Sequence, residues 1–296
     1  MIIGRLSSLG WNSVFYYNSG ALALAIGYFV VTSRSGSPKD RVLIWKNGSI
    51  DLSLVYCYIF GALLNTGIFF AINTTFYFCG QAGLNIGIAE TVWGFTPFFA
   101  GVLEFLFFRT RLETHHILGI ICMFCAASLI SLSQLFRDSH SNDSSVEYTV
   151  PIIVPVMVSF SMPVVCSSFS MFTKFACGIK GISGQDYTFG YCIVAKGFFF
   201  IGSLVHFANK PFHLNFYLIG MLGSILDILG AFFCNCAIAT GAPAGPILAL
   251  CDSQMLLVTI IAAITMSMIP HWMQILGLLT GTLGVSVLVK LIKPKM

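Results

Sequence analysis

Five ionisable residues lie inside long apolar runs, and these are the side chains with chemistry to perform: Glu90, Glu104, Lys196, Asp227 and Asp252. An ionisable group at membrane depth costs about 2.5–3.5 kcal/mol near a helix centre and usually faces a cavity or a partner. Glu90 is followed by Thr91 and Trp93, and Asp252 by Ser253 and Gln254. Two carboxylates with such neighbours can bind a cation or exchange a proton, which would couple occupancy to a change of state. The plainer reading is a buried structural pair, with Lys196 as the counter-ion. Lys196 is the only basic residue deep in an apolar run. It can neutralise a carboxylate or hold an anionic group of a substrate. Asp227 and Asn65 could line the same cavity. Glu104, close to Arg109, reads as a helix-end ion pair.

The elements that position these residues follow from composition. Of 296 residues, 57% are hydrophobic and only 9% charged, against about 25% charged in soluble domains. A globule of this length needs a polar shell that the chain does not have. Spans of about 20 apolar residues cross the hydrocarbon core, and the sequence divides into nine: 14–32, 54–78, 84–108, 114–135, 150–173, 187–207, 214–239, 243–268 and 272–291. Cys79-Gly80-Gln81-Ala82-Gly83 and Ile269-Pro270-His271 supply turns where an uncharged run is too long for one crossing. Pro97, Pro155, Pro163, Pro243 and Pro246 predict kinks or close helix crossings. Residues 1–13 are too short and polar to span, and no signal-peptide cleavage pattern follows the first run.

Alternating spans place Arg34, Lys39, Arg41, Lys46, Arg109, Arg111, Lys174, Lys180, Lys290, Lys293 and Lys295 on one side, and only Arg5, Arg137 and Lys210 on the other. Positive loops stay on the cytoplasmic side, so the expected C-terminus is cytoplasmic and the N-terminus opposite. The sequon Asn142-Asp143-Ser144 then falls on the outer side.

The chain also matches itself. At an offset of 162, Gly61 falls on Gly223, Leu64 on Leu226, Phe70 on Phe232, Asn73 on Asn235, Ala82 on Ala244 and Gly83 on Gly245. The rare polar positions align too: Asn65 with Asp227, Glu90 with Asp252, Thr91 with Ser253. Beyond a four-residue length difference, Ile117-Leu118-Gly119 falls on Ile275-Leu276-Gly277. An odd number of crossings separates the matched spans, so they run in opposite directions. Inverted repeats of this kind are a signature of secondary transporters. The expected organisation is a first repeat of four spans over 1–136, a linker over 137–149 and a second repeat of five spans over 150–296.

Gly241-Ala242-Pro243-Ala244-Gly245-Pro246, an apolar helix to Met268 and Gln274-Ile275-Leu276-Gly277 opening a glycine-rich last span carry a family resemblance. Thr96-Pro97-Phe98-Phe99, Arg109-Thr110-Arg111-Leu112 and His116-Ile117-Leu118-Gly119 give a similar text in the first half. On these motifs the chain resembles the EamA-like members of the drug/metabolite transporter superfamily. The resemblance covers nearly the whole chain and implies a fold rather than a substrate. It implies ten helices as five plus five, with both termini cytoplasmic. This chain departs from that pattern, because span 14–32 pairs best with 187–207 and the partner of span 150–173 is missing. The fold expected is therefore all-α and integral to the membrane, with about nine helices in two inverted repeats, four plus five.

The expected function is secondary transport of a small neutral or cationic metabolite by alternating access, with Glu90, Asp252, Asp227, Asn65, Trp93, Gln254 and Lys196 as substrate or coupling residues. The competing reading is a non-transporting subunit of a membrane complex, a degenerate carrier fold held by partner subunits; a homodimer is a further option. No HExxH or GxSxG string points to an enzyme. Cys122/Cys125 and Cys234/Cys236 have pair spacing without the polar loop or second ligand pair of a zinc site, so neither metal nor cofactor is expected. Membrane lipid and a small-molecule substrate are the expected partners, not nucleic acid. Phe15-Tyr16-Tyr17-Asn18 reads as an interfacial aromatic belt. Gly277-x-x-x-Gly281 reads as a packing motif within the chain.

Overall fold

The computed structural model describes residues 13–35, 45–46, 49–82, 92–109, 113–138, 150–151, 153–252 and 272–289. In chain order the helices are α1 (Ser13–Tyr16), α2 (Ser19–Ser35), α3 (Leu52–Gln81), α4 (Thr96–Phe108), α5 (Thr114–Asp138), α6 (Ile153–Ser159), α7 (Ser161–Lys174), α8 (Gly184–Asn209), α9 (Leu214–Ala239), α10 (Ala244–Asp252) and α11 (Trp272–Val289). Trp45–Lys46 and Ser49–Ile50 form a two-residue antiparallel ladder. Five stretches among the described residues are long and apolar enough to cross a membrane: Val14–Ser33, Leu52–Gln81, Ile153–Ile179, Gly184–Asn209 and Leu214–Ala239. Many of their Leu, Ile, Val and Phe side chains face outward, among them Phe198, Val205, Leu226 and Phe233. That pattern suits lipid rather than water. The chain is an all-α, multi-pass membrane protein.

Local structure follows the sequence where proline and glycine act. Helix α6 stops at Ser159 and α7 restarts at Ser161. The Pro163 ring has no N–H and crowds the Ser159 carbonyl four residues back, so the ladder breaks at Phe160. The Ser159 hydroxyl donates back to the Pro155 carbonyl at 2.7 Å. Helix α7 widens into a π turn over Phe175–Ile179, and Gly181 supplies a positive φ of 66° before α8 begins. Ser183 then caps α8, its hydroxyl oxygen accepting from the Asp186 amide at 3.0 Å. Of the predicted turn Cys79–Gly83, the first three residues continue α3 to Gln81 and Ala82 turns, while Gly83 lies outside the described residues. The second predicted turn, Ile269–His271, lies outside the described residues.

The chain divides into two compact units, each assembled from two separate stretches of the sequence. One takes Met1–Phe69 and Phe172–Gly241; the other takes Phe70–Met171 and Ala242–Met296. In the first, α2 packs on α8 and α9, and α8 packs on α9. A Cβ on Gly20 would collide with the Met221 carbonyl oxygen, and one on Gly220 with the Tyr16 carbonyl oxygen. Paired small residues let backbones approach that closely. Hydroxyls then tie the start of α2 to its neighbours. The Ala21 amide, one of the donors a helix start leaves free, donates to Ser224 Oγ at 3.1 Å. Ser203 Oγ donates to the Phe15 carbonyl at 2.8 Å.

In the second unit, α5 and α11 run against each other, and α10 packs on α4 and α5. Gly284 lies against Gly119 and Cys122, so that glycine of α11 packs within the chain. Ile120, Met123 and Ala249 form a small buried core with Leu250 beside it. Pro97 opens α4 at a position where its missing N–H is harmless. Ser167 Oγ on α7 donates to the Thr96 carbonyl at 3.0 Å.

Candidate functional site

The first unit brings together the one deep lysine and a carboxylate. Lys196 on α8 points its Nζ toward Asp227 Oδ2 on α9, 3.9 Å away, with side-chain exposures of 3% and 42%. That distance neutralises charge but is too long for a hydrogen bond. Two aromatic rings also lie by the ammonium. Nζ sits 3.5 Å from the Phe69 ring centroid and 5.7 Å from that of Tyr17. The two rings are 5.6 Å apart. A desolvated ammonium over a ring face gains about 2 kcal/mol, which offsets part of the cost of burial. Tyr17 is held in place by its hydroxyl, which donates to the Gly223 carbonyl at 3.1 Å.

Asn65 lies one turn before Phe69 on the same face of α3. Among the described residues no hydrogen-bond partner reaches Asn65 Oδ1 or Lys196 Nζ, both buried. Buried polar atoms nearly always find a partner, and each exception calls for a reason. The site thus holds a balanced ion pair, two aromatic faces, one unsatisfied acceptor and one unsatisfied donor group.

Beyond Asp227 along α9, a second polar group is closed and satisfied. Asn235 Nδ2 donates to Thr188 Oγ1 at 2.9 Å and to the Tyr191 hydroxyl at 3.5 Å. Its Oδ1 accepts from Thr173 Oγ1 at 3.4 Å, and Thr188 Oγ1 donates to the Gly184 carbonyl at 2.7 Å. Tyr187 packs beside this network, and its hydroxyl would be 2.6 Å from a Cβ placed on Gly61. Reciprocally, the Tyr58 ring fills the space beside Gly190, where a Cβ would strike it. This network is a structural lock between helices, not an open site.

The remaining expected site residues lie in the second unit. Trp93 packs its ring on Phe76 at 5.6 Å, and among the described residues its indole N–H has no hydrogen-bond partner. Asp252 is the last residue of α10, and its side chain lies outside the described residues. Glu90 and Gln254 lie outside them as well. Glu104, expected beside Arg109, is buried, and its Oε2 accepts from the Ala244 amide at 2.7 Å. A carboxylate there satisfies a free donor at the start of α10 and complements its dipole.

Phe15-Tyr16-Tyr17-Asn18 is not an interfacial belt. Tyr16 and Asn18 are buried, Tyr16 packs on Phe207, and Asn18 donates to the Val14 carbonyl. Phe15 stacks on His206 at 4.3 Å. Tyr17 and Phe69 are the site residues that sequence reasoning missed. The only signal for Tyr17 was the polar, aromatic text at the start of its span. Phe69 had none, being one of 28 phenylalanines.

A helical membrane protein with a buried mid-helix lysine facing a carboxylate on a neighbouring helix is the class that this fold and site define. No family model and no curated protein sequence matches this chain. Among solved structures 26 chains match. One of them, described only as a crystal structure of a protein, superposes with a TM-score of 0.61 over 93% of this chain and 86% of its own, at 14% identity. At that identity the likeness speaks for the fold alone.

Proposed function

We propose that the chain is a secondary transporter of the EamA-like kind, moving a small solute of neutral or cationic character across a membrane by alternating access. The observation that carries this reading is Lys196 with Asp227. Apolar helices bury an ammonium that has no hydrogen-bond partner among the described residues, beside a partly exposed carboxylate. Membrane helices rarely keep such groups without a solute or ion path to serve.

Helix limits support the inverted-repeat layout, read as nine crossings in a four plus five arrangement. Helix α3 begins at Leu52 and α9 at Leu214, an offset of 162. Helix α5 begins at Thr114 and α11 at Trp272, an offset of 158. These are the two offsets at which the sequence matches itself. In this reading Glu90 and Asp252 are the coupling carboxylates, with Trp93 and Gln254 beside them. Asn65, Lys196 and Asp227 hold the solute.

The test is pH-dependent uptake of a metabolite panel by purified protein in liposomes, beside a Glu90→Gln/Asp252→Asn double variant. Uptake by the parent that is lost in the variant supports a carrier with coupling at the acidic pair. Folded protein that takes up nothing would favour the accessory-subunit reading instead.

A further inference from the structure

Resting on the carrier reading, we infer that the solute held beside Lys196 is a net-uncharged, hydroxyl-rich molecule that keeps the Lys196–Asp227 pair intact. Charge balance gives the first half of this. Lys196 and Asp227 offset each other at 3.9 Å, so an anionic solute would leave a net negative charge at the site and a cationic one a net positive charge. Either costs more in a low-dielectric setting than a neutral guest.

Hydrogen-bond inventory gives the second half. The ammonium has three donors and no acceptor within bonding distance among the described residues, whereas Asn65 Oδ1 is an acceptor without a donor. One guest that answers both must carry acceptors and donors together, as a hydroxyl does. A zwitterion could also supply both. Its carboxylate and ammonium, however, would each compete with a partner already in place and would have to open the pair.

The Phe69 and Tyr17 rings complete the site. Their centroids lie 5.6 Å apart with the rings tilted at 56°, and Nζ lies 3.5 Å from the Phe69 centroid and 5.7 Å from that of Tyr17. With Nζ over the Phe69 ring, the rings bound the site with apolar edges that C–H groups of a polyol can meet while its hydroxyls turn toward Lys196 and Asn65. Asp227 is the more exposed member of the pair and is free to accept a further hydroxyl.

The experiment compares three molecules of one skeleton: a neutral hexose, its 6-carboxylate and its 2-amino derivative. Equilibrium binding is measured to the full chain in detergent micelles, and uptake into liposomes is measured in parallel. The parent should bind the neutral sugar best. Asp227→Asn should shift preference about tenfold toward the carboxylate, and Lys196→Met about tenfold toward the amine, the scale of one charge-assisted contact. A Lys196→Met/Asp227→Asn double variant, with no net charge change, reports whether the fold survives and should return preference to the neutral sugar. Preference of the parent for either charged sugar, or binding of none of the three, overturns the inference. Uptake of a charged solute unaffected by these variants also overturns it while leaving the carrier reading standing. Binding that follows the predicted swaps without any uptake keeps the inference and removes the carrier reading.

Discussion

At the scale of the residue, the polar side chains of the first unit serve two purposes. Asn235 is fully enclosed, and each of its polar atoms is matched. Asn235→Ala should leave Thr173 and Thr188 with broken bonds and lower stability by about 1–3 kcal/mol, read as a fall in the midpoint of thermal unfolding in micelles. An unchanged midpoint would mean that the network contributes nothing to the fold. Lys196 is the opposite case: its ammonium has no hydrogen-bond partner among the described residues, so the Lys196→Met/Asp227→Asn double variant, which leaves no charge without a counter-charge, should cost little stability and change binding instead. Same-micelle unfolding of that variant checks the contrast. Sequence alone singled out Lys196 and Asp227, because any charge stands out in apolar text. Their pairing was not legible. They sit 31 positions apart on different helices, and Glu90 and Asp252 were equally available partners by charge. Tyr17 and Phe69 were hidden because aromatic side chains give no contrast against a lipid-facing background.

At the scale of the element, helix ends follow proline, glycine and hydroxyl positions closely, whereas helix partners do not. The break at Phe160 is attributable to Pro163, so Pro163→Ala should restore an amide that bonds to the Ser159 carbonyl. Hydrogen exchange would then show slower exchange at residues 160–163 than in the parent. No change there would assign the break to another cause. The crossing of α2 and α9 depends on Gly20 and Gly220 meeting carbonyl oxygens. Gly220→Val should separate the helices and disrupt the bond from Ala21 to Ser224. Lower thermal stability and faster exchange at the start of α2 are the expected readings. Five of the nine expected spans are long apolar helices among the described residues, and the limits at 52–81 and 214–239 differ from expectation by only a few residues. The expected span 84–108 is interrupted by a turn at Gly94 and Phe95 before α4 begins. Which helices would touch was not legible, since lipid-facing and protein-facing stripes are both apolar.

At the scale of the whole molecule, each compact unit draws its helices from two separate stretches of the sequence. Composition alone made the membrane class legible; the composition of the units was not, because helix hydropathy carries no address. The bias of eleven basic residues against three predicts that a protease-cleavable tag after Met296 is cut only from the cytoplasmic face of sealed vesicles, and one before Met1 only from the other. Cleavage of both tags from one face would sink the odd count of crossings. The seats formed by Tyr58 at Gly190 and Tyr187 at Gly61 have a mechanical consequence. Each tyrosine is a peg from one helix in a notch on the other, and the pegs point in opposite senses. Helix α3 up to Phe69 therefore cannot slip along α8 by a residue without forcing a ring into backbone. In the proposed carrier that pair of helices travels as a single strut, and a covalent staple between them at this level should leave uptake untouched.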